Sequence, residues 1–215
     1  NVGEAAEKCG RKAEDIRIMA VTKTVAPEIV NHAIELGLDL LGENRVQEYL
    51  SKAEAYSPAE VHFIGGLQTN KVKYIIESVS MIQSVDSLKL GTEIDRLAAK
   101  HGRVMDILCE VNIGGEESKG GFSPDEVRDA VGELAELEGI CVQGLMTMAP
   151  RGNKDVARRT FAGLRELRDE LEATHSDLSL PELSCGMSED FEPALEEGST
   201  LVRLGRVVFS PEFAV

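Results

Sequence analysis

The feature of this sequence that most restricts its fold is a rhythm. Short β-rich runs alternate with amphipathic helical runs along the whole chain, and no Pro/Gly/Ser-rich linker divides them. Strand-type segments are expected at 16–21, 39–42, 61–64, 80–85, 105–113, 140–146, 183–185 and 200–204. Helix-type segments are expected at 27–36, 45–55, 69–77, 87–101, 124–137, 154–174 and 189–197. Pro27 suits a first helical turn, and Gly37 a helix end. Ser123 is placed to cap the helix at Pro124, and Val72, Ile75 and Ile76 recur at helical spacing. Strands each followed by a helix imply βα repetition and a parallel sheet. Eight is the number that closes a (β/α) barrel. The rival is an open doubly wound sheet, but no GxGxxG follows the first strand. The expected fold is α/β: a single (β/α)8 TIM-type barrel over residues 1–215.

Composition narrows the function classes. With 215 residues, 42% of them hydrophobic, the chain can bury a core without disulfides. Cys9, Cys109, Cys141 and Cys185 lie far apart, with no CxxC pair or Cys/His ligand spacing. Zinc is therefore not expected, and scattered thiols read as reduced and cytoplasmic. The balance of 23 Lys+Arg against 38 Asp+Glu gives a net charge of −15. A field of that sign repels nucleic acid and anionic lipid. No apolar run approaches the roughly 18 residues of a membrane span. The first residues carry acids where a signal peptide carries bases, and the absent initiator Met suggests a start inside a longer chain.

Polar and glycine-rich groups fall where strands end, which is where barrel active sites lie. They are Thr22-Lys23-Thr24, Gly42-Glu43-Asn44, Gly65-Gly66, Asn112, Met146-Thr147-Met148, Gly186-Met187-Ser188 and Gly205-Arg206. Lys23 follows an apolar run. Beside low-dielectric walls it would be a nucleophile fit for imine chemistry, and otherwise it is a strand-end lysine reaching solvent. Ser188 either caps the helix that follows or joins the N–H groups after Gly186 and Gly205 in holding an anion. Arg203 shares a strand face with Gly205. If that face points inward, the guanidinium needs a carboxylate or a ligand acceptor. His32, His62, His101 and His175 show no metal spacing, and no GxSxG elbow is present. Residues 116–121 form either a lid or a solvated loop.

These segments resemble the pyridoxal phosphate homeostasis proteins. Ala20-Val21-Thr22-Lys23-Thr24 is similar to that family's cofactor-lysine motif, and Gly42-Glu43-Asn44-Arg45-Val46-Gln47-Glu48 to its second motif. His62-Phe63-Ile64-Gly65 with Leu67-Gln68 and Asn70-Lys71 resembles the third, and Gly144-Leu145-Met146-Thr147-Met148 the sixth-strand segment. Gly186-Met187-Ser188 with Asp190, then Gly198-Ser199-Thr200, Val202-Arg203 and Gly205, resembles the C-terminal signature. The motifs come in order from about Asp15 to Phe209.

The resemblance implies a barrel like the N-terminal domain of alanine racemases, binding pyridoxal 5′-phosphate (PLP) as an imine on Lys23. It implies that Gly186, Ser188, Gly205 and the backbone of Arg206 hold the phosphate, that Arg203 faces the pyridine nitrogen, and that Asn44 lines the ring. It implies a carrier and regulator of PLP with no robust reaction of its own, serving PLP-requiring apo-enzymes. A closed barrel needs no partner to complete its sheet, so a monomer is expected. Three positions depart from the pattern: Gly66, Cys185 and Arg206. Two rival readings are a PLP-dependent racemase or decarboxylase on the same barrel, and a metal- or sugar-phosphate-binding barrel without PLP. A two-base racemase needs a second base opposite the imine lysine. Alanine racemases take a Tyr from an extra β-domain of the partner subunit, a domain not expected here because the chain ends soon after its eighth strand. Tyr49, Tyr56 and Tyr74 all fall in helical segments or at their ends.

Overall fold

The structure is a computed structural model that describes residues 2–116 and 120–210. Eight strands alternate with helices. The strands are β1 (Arg17–Val21), β2 (Leu40–Glu43), β3 (Glu60–Phe63), β4 (Met81–Val85), β5 (Met105–Glu110), β6 (Ile140–Met146), β7 (Glu182–Ser184) and β8 (Leu201–Leu204). Each pairs in parallel with the next, and β8 pairs back onto β1 from Arg17↔Leu201 to Ala20↔Leu204. The barrel is closed, and the open-sheet alternative is excluded. The helices are α1 (Val2–Lys8), α2 (Pro27–Glu35), α3 (Val46–Lys52), α4 (Leu88–Lys100), α5 (Pro124–Ala135), α6 (Lys154–Thr174), α7 (Phe191–Glu196) and α8 (Arg206–Phe209).

Local chemistry accounts for several boundaries. Ser123 and Glu126 form a reciprocal capping box at the start of α5, with Pro124 in the first turn. Asn153 caps α6 by accepting from the N–H groups of Asp155 and Val156. The segment expected as a helix at 69–77 is a 3-10 helix, Thr69–Tyr74. Val72 and Ile75 are three apart, a spacing that a 3-10 turn satisfies as well as an α-helix, and both are buried. α7 begins at Phe191 rather than Glu189, and α8 was not expected from the sequence. Of the loop at 116–121, residues 117–119 lie outside the described residues.

Most of the core lies between strands and helices, where Phe63, Ile94, Ile107, Val131, Phe161 and Leu164 are fully or almost fully buried. Strand residues alternate between that layer and the barrel interior. Inside, Met19, Leu40, Ile64 and Leu201 form one apolar cluster, and Met81, Leu108 and Met146 another. The buried polar side chains of His62, Gln83, Ser184 and Arg203 share the interior. Among the described residues, no helix is long and apolar enough to cross a membrane, and no group of three or more His, Cys, Asp or Glu side chains is placed to hold a metal ion.

Candidate functional site

The loop after β1 is anchored on both sides of Lys23. Thr22 is buried, and its Oγ1 donates to Glu43 Oε1 at 2.7 Å. Lys52 Nζ, from α3, donates to the Thr22 carbonyl at 3.0 Å. The Thr24 N–H donates to Glu48 Oε1 at 2.5 Å, and this bond is the main reason the Glu48 carboxyl lies below its usual range. Thr24 has φ +61°, a left-handed conformation that a β-branched residue adopts only when its surroundings hold it there. Lys23 itself is exposed, which fits the strand-end lysine reaching solvent and not the alternative enclosed by low-dielectric walls. Its neighbours are fixed while its side chain is left free.

Glu43 is wholly buried at the end of β2. It accepts from Thr22 and, at 2.6 Å, from Tyr56, with Lys52 Nζ 3.3 Å away. Burial and this carboxylate push the Tyr56 phenol up to about 12. The next residue, Asn44, lines the barrel mouth, and its Oδ1, like Glu43 Oε2, is buried with no hydrogen-bond partner among the described residues. Burying a polar atom without a partner is costly, so such an atom marks a place for a ligand or water.

The loops after β7 and β8 face each other. Gly186 has φ +96°, and a Cβ there would lie 2.6 Å from that of Ala194 on α7. Its glycine is required by the turn and by helix packing. Ser188 was expected either to cap the following helix or to hold an anion. Asp190 occupies the cap position of α7, and its Oδ1 accepts from the Met187 N–H at 2.6 Å, so Ser188 is not that cap. Ser188 Oγ instead accepts from the Val207 N–H across the two loops at 3.5 Å. The backbone N–H groups of Ser188 and Arg206 donate to no acceptor among the described residues. The Arg206 side chain turns to Glu189 at 2.6 Å, an exposed ion pair that leaves its backbone N–H in place.

Arg203 lies 4% exposed on the inner face of β8. The carboxylate partner expected as one alternative is absent, since no ion pair joins Arg203 to an acid among the described residues. Its Nη1 donates twice to Ser184, to the carbonyl and the hydroxyl, both at 2.7 Å, and Nη2 donates to the Thr147 carbonyl at 2.9 Å. Two of the five N–H donors of a guanidinium are thereby left over. Burial pushes the Arg203 pKa down, and the nearby acids Glu110 and Asp190 act against this.

Lys23, Asn44, Ser188, Arg203, Gly205 and Arg206 line one cavity of about 140 Å³ at the C-terminal mouth of the barrel. Val21, Ile64, Met148 and Met187 give it apolar walls, and Arg151 joins its rim. Gly186 does not line it and contributes through its carbonyl, which accepts from the Arg203 N–H at 2.9 Å. Larger, more open grooves of about 540 and 570 Å³ lie between Thr69–Tyr74 and α4, without the buried donors that converge at the mouth. Of the departures, Gly66 is exposed with open space around it. Cys185 is buried in the outer layer, where burial pushes its thiol up to about 11. Sequence reasoning gave no bracing role to Glu48 and Lys52, which hold the lysine loop, nor to Ser184, which holds Arg203 with Gln83 and His62 behind it. Their roles depend on contacts between distant strands that no local spacing announces.

The fold and this mouth define a class: a closed (β/α)8 barrel with a strand-end lysine facing donors from its last two loops. The family model described as "Alanine racemase, N-terminal domain" matches residues 1–212. A curated relative from Aquifex aeolicus (strain VF5), named pyridoxal phosphate homeostasis protein, is 45% identical over 211 residues, covering 97% of this chain and 92% of that relative. PipY of Synechococcus elongatus PCC7942, solved with PLP bound, superposes with a TM-score of 0.86 at 31% identity, covering 98% of this chain and 100% of that one. An alanine racemase of Clostridium difficile 630 shares the fold at a TM-score of 0.76 and 17% identity, with 96% of this chain and 54% of that one covered. This chain belongs to the pyridoxal phosphate homeostasis protein family, within the alanine racemase N-terminal domain family.

Proposed function

We propose that this chain binds PLP at the barrel mouth as an imine on Lys23 and serves intracellular PLP homeostasis, without strong catalysis of its own. The observation that carries the reading is a convergence. A free lysine amine, the unpartnered Asn44 Oδ1, the spare donors of Arg203 and two free backbone N–H groups line one cavity. That donor set suits a planar heterocycle with an aldehyde at one edge and a phosphate at another. Gly205 is consistent with this, since a Cβ there would meet only Val21, at 3.5 Å, and would otherwise extend into the mouth.

The residues divide the work. The Lys23 amine would hold the aldehyde carbon of the bound cofactor. The N–H groups of Ser188 and Arg206, with the Ser188 hydroxyl, hold the phosphate. Asn44 lies along the ring, and Arg203 donates to the pyridine nitrogen. Bound PLP supplies an electrophilic carbon and, when its ring nitrogen is protonated, an electron sink for carbanions. Arg203 is a donor without an acceptor and carries positive charge, so it opposes protonation of that nitrogen and keeps the sink weak.

Among the described residues, no tyrosine or histidine lines the cavity. Tyr49 donates to the Ser78 carbonyl, Tyr56 to Glu43, and Tyr74 lies beside Lys73 on the surface. These side chains supply no second base, which favours homeostasis over racemisation. PLP-requiring apo-enzymes are the proposed recipients, with the chain acting as a monomer in the cytoplasm.

The test is PLP titration of the purified protein, followed by visible absorbance, borohydride reduction and peptide mapping. The reduced label is expected on the peptide containing Lys23. A label on Lys71 or Lys89 would reassign the site, and a protein that stays colourless would favour a barrel for a different phosphate ligand. In parallel, chiral chromatography of alanine incubated with the PLP-saturated protein should show no racemisation. Inversion at several turnovers per second, lost in Lys23→Ala, would establish the enzyme reading instead.

A further inference from the structure

An unbroken line of hydrogen bonds crosses the barrel interior below the mouth. It starts at Arg203, whose Nη1 donates to Ser184 Oγ at 2.7 Å. Ser184 Oγ donates to Gln83 Oε1 at 2.7 Å, across 101 residues of sequence. Gln83 Nε2 lies 2.8 Å from His62 Nδ1, and His62 Nε2 lies 2.7 Å from Glu60 Oε1. Arg17 Nη2 closes the line, reaching both Glu60 oxygens at 2.8 and 2.9 Å. Ser184, Gln83 and His62 have no exposed surface.

The chemistry of the two ends sets the direction of every link. A guanidinium only donates, and a carboxylate only accepts. Ser184 Oγ accepts from Arg203, so its own hydrogen points onward to Gln83. The Gln83 carbonyl takes that hydrogen, which turns its amide nitrogen to His62 Nδ1. That nitrogen must accept, so the imidazole proton lies on Nε2 and is donated to Glu60. Rotating the Gln83 amide would bring its N–H against the Ser184 hydroxyl and would require a second proton on His62. A single proton arrangement therefore satisfies the whole line with a neutral His62.

We propose that Gln83 and His62 are positioning residues for Arg203, fixing the guanidinium edge that faces the ligand's ring nitrogen. This rests on the PLP reading above. Three Arg203 N–H groups are tied to Ser184 and Thr147, which leaves two over on a residue that lines the cavity. Two carboxylates, Glu110 and Asp190, act on the guanidinium electrostatically without bonding it. Cutting the line at Gln83 leaves Ser184 free to rotate and lets Arg203 turn toward either acid. The donor then no longer meets the ring.

The experiment has two arms. In the cofactor-free parent, long-range proton–nitrogen NMR of His62 should show a neutral ring protonated at Nε2. A ring protonated at Nδ1, or at both nitrogens, overturns the line whether or not PLP binds. The second arm compares Gln83→Leu with Gln83→Glu, whose carboxylate still accepts from Ser184 and takes its other hydrogen bond from a His62 ring protonated on both nitrogens. Gln83→Leu should bind PLP about tenfold more weakly and shift its visible band, and Gln83→Glu should stay within about twofold of the parent. A carbocyclic PLP analogue, with benzene in place of pyridine, should bind the parent and Gln83→Leu alike, because it offers Arg203 no nitrogen. General damage to the fold would weaken both ligands equally, and that result overturns the positioning role, as does unchanged PLP affinity. If Gln83→Leu does not fold, Gln83→Met of similar length takes its place. A parent that takes up no PLP on Lys23 refutes the PLP reading and with it the positioning role, while the NMR arm still judges the line itself.

Discussion

At the floor of the barrel, Arg17 reaches Glu60 at 2.8 Å and Glu182 at 3.6 Å, and Glu60 in turn holds His62. At the mouth, Lys23 is exposed, Asn44 Oδ1 is buried without a partner, and Arg203 uses three of its five donors. Both regions are rich in charge and hydrogen-bonding groups. At the floor those groups satisfy one another, which makes them part of the fold. At the mouth they are held in place by neighbours and left incomplete, which makes them part of a site. Residue type alone does not separate the two: Arg17 and Arg203 are both strand arginines, and the difference lies in what remains unpaired.

Four measurements test that division, starting with the largest effect. Lys23→Ala should abolish the borohydride-fixed label and the imine absorbance altogether. Because Lys23 is exposed, the cofactor-free variant should keep its stability within about 0.5 kcal/mol, read as an unchanged urea midpoint. Next, Ser188→Ala should weaken PLP by about 1.5–3 kcal/mol, roughly 10–150-fold, as expected for a lost hydrogen bond to a charged group. Among the described residues its side chain makes one hydrogen bond, a long one at 3.5 Å, so the empty protein should barely notice the change. A variant that binds PLP like the parent would return Ser188 to a purely structural role.

Ser184→Ala should show the opposite signature. It strands Gln83 Oε1 and one Arg203 donor in the interior, at a cost of about 1–3 kcal/mol in the cofactor-free protein, measured by urea denaturation. The smallest effect belongs to Glu60. Its hydrogen bond from His62, then that from Arg17, holds its carboxyl down to about 2. A depressed carboxyl stabilises the fold above its ordinary range near 4.5, and that stabilisation is lost as pH falls toward about 2. The urea midpoint of Glu60→Gln should therefore fall below the parent's at pH 6 and converge with it as pH drops through that window. Glu60 is partly exposed, so the gap should be modest.

The barrel was legible in the sequence because its signal is repeated. Eight β-rich runs, all but the last followed by a helical stripe, marked it, and apart from α8 and the 3-10 helix the errors lie at element ends. Val72 and Ile75, three apart, fit a 3-10 turn as well as an α-helix, and of the cap-type residues Ser188 and Asp190 the second stands at the cap position, without a side-chain cap bond. Strand ends in a barrel converge, which brings Lys23, Asn44, Ser188, Arg203, Gly205 and Arg206 to one mouth, while their roles there rested on the family resemblance. Gly186 carried a turn signal that reads the same for packing as for binding. The supports were not legible. Gln83 and Ser184 are ordinary polar residues 101 positions apart, and Lys52 looks like a surface helix lysine until α3 packs it beneath Thr22.

The account turns on whether the unpartnered groups at the mouth are ligand groups, and a crystal structure of the protein soaked with PLP tests this most directly. The expected map has density continuous with Lys23 Nζ, the phosphate between the N–H groups of Ser188 and Arg206, and the ring beside Asn44. An Arg203 N–H should meet the ring nitrogen while the Ser184–Gln83–His62–Glu60 line stays unmoved. PLP found in the groove beside α4, or Arg203 released from Ser184 to reach it, would contradict the division between a complete interior and an incomplete mouth.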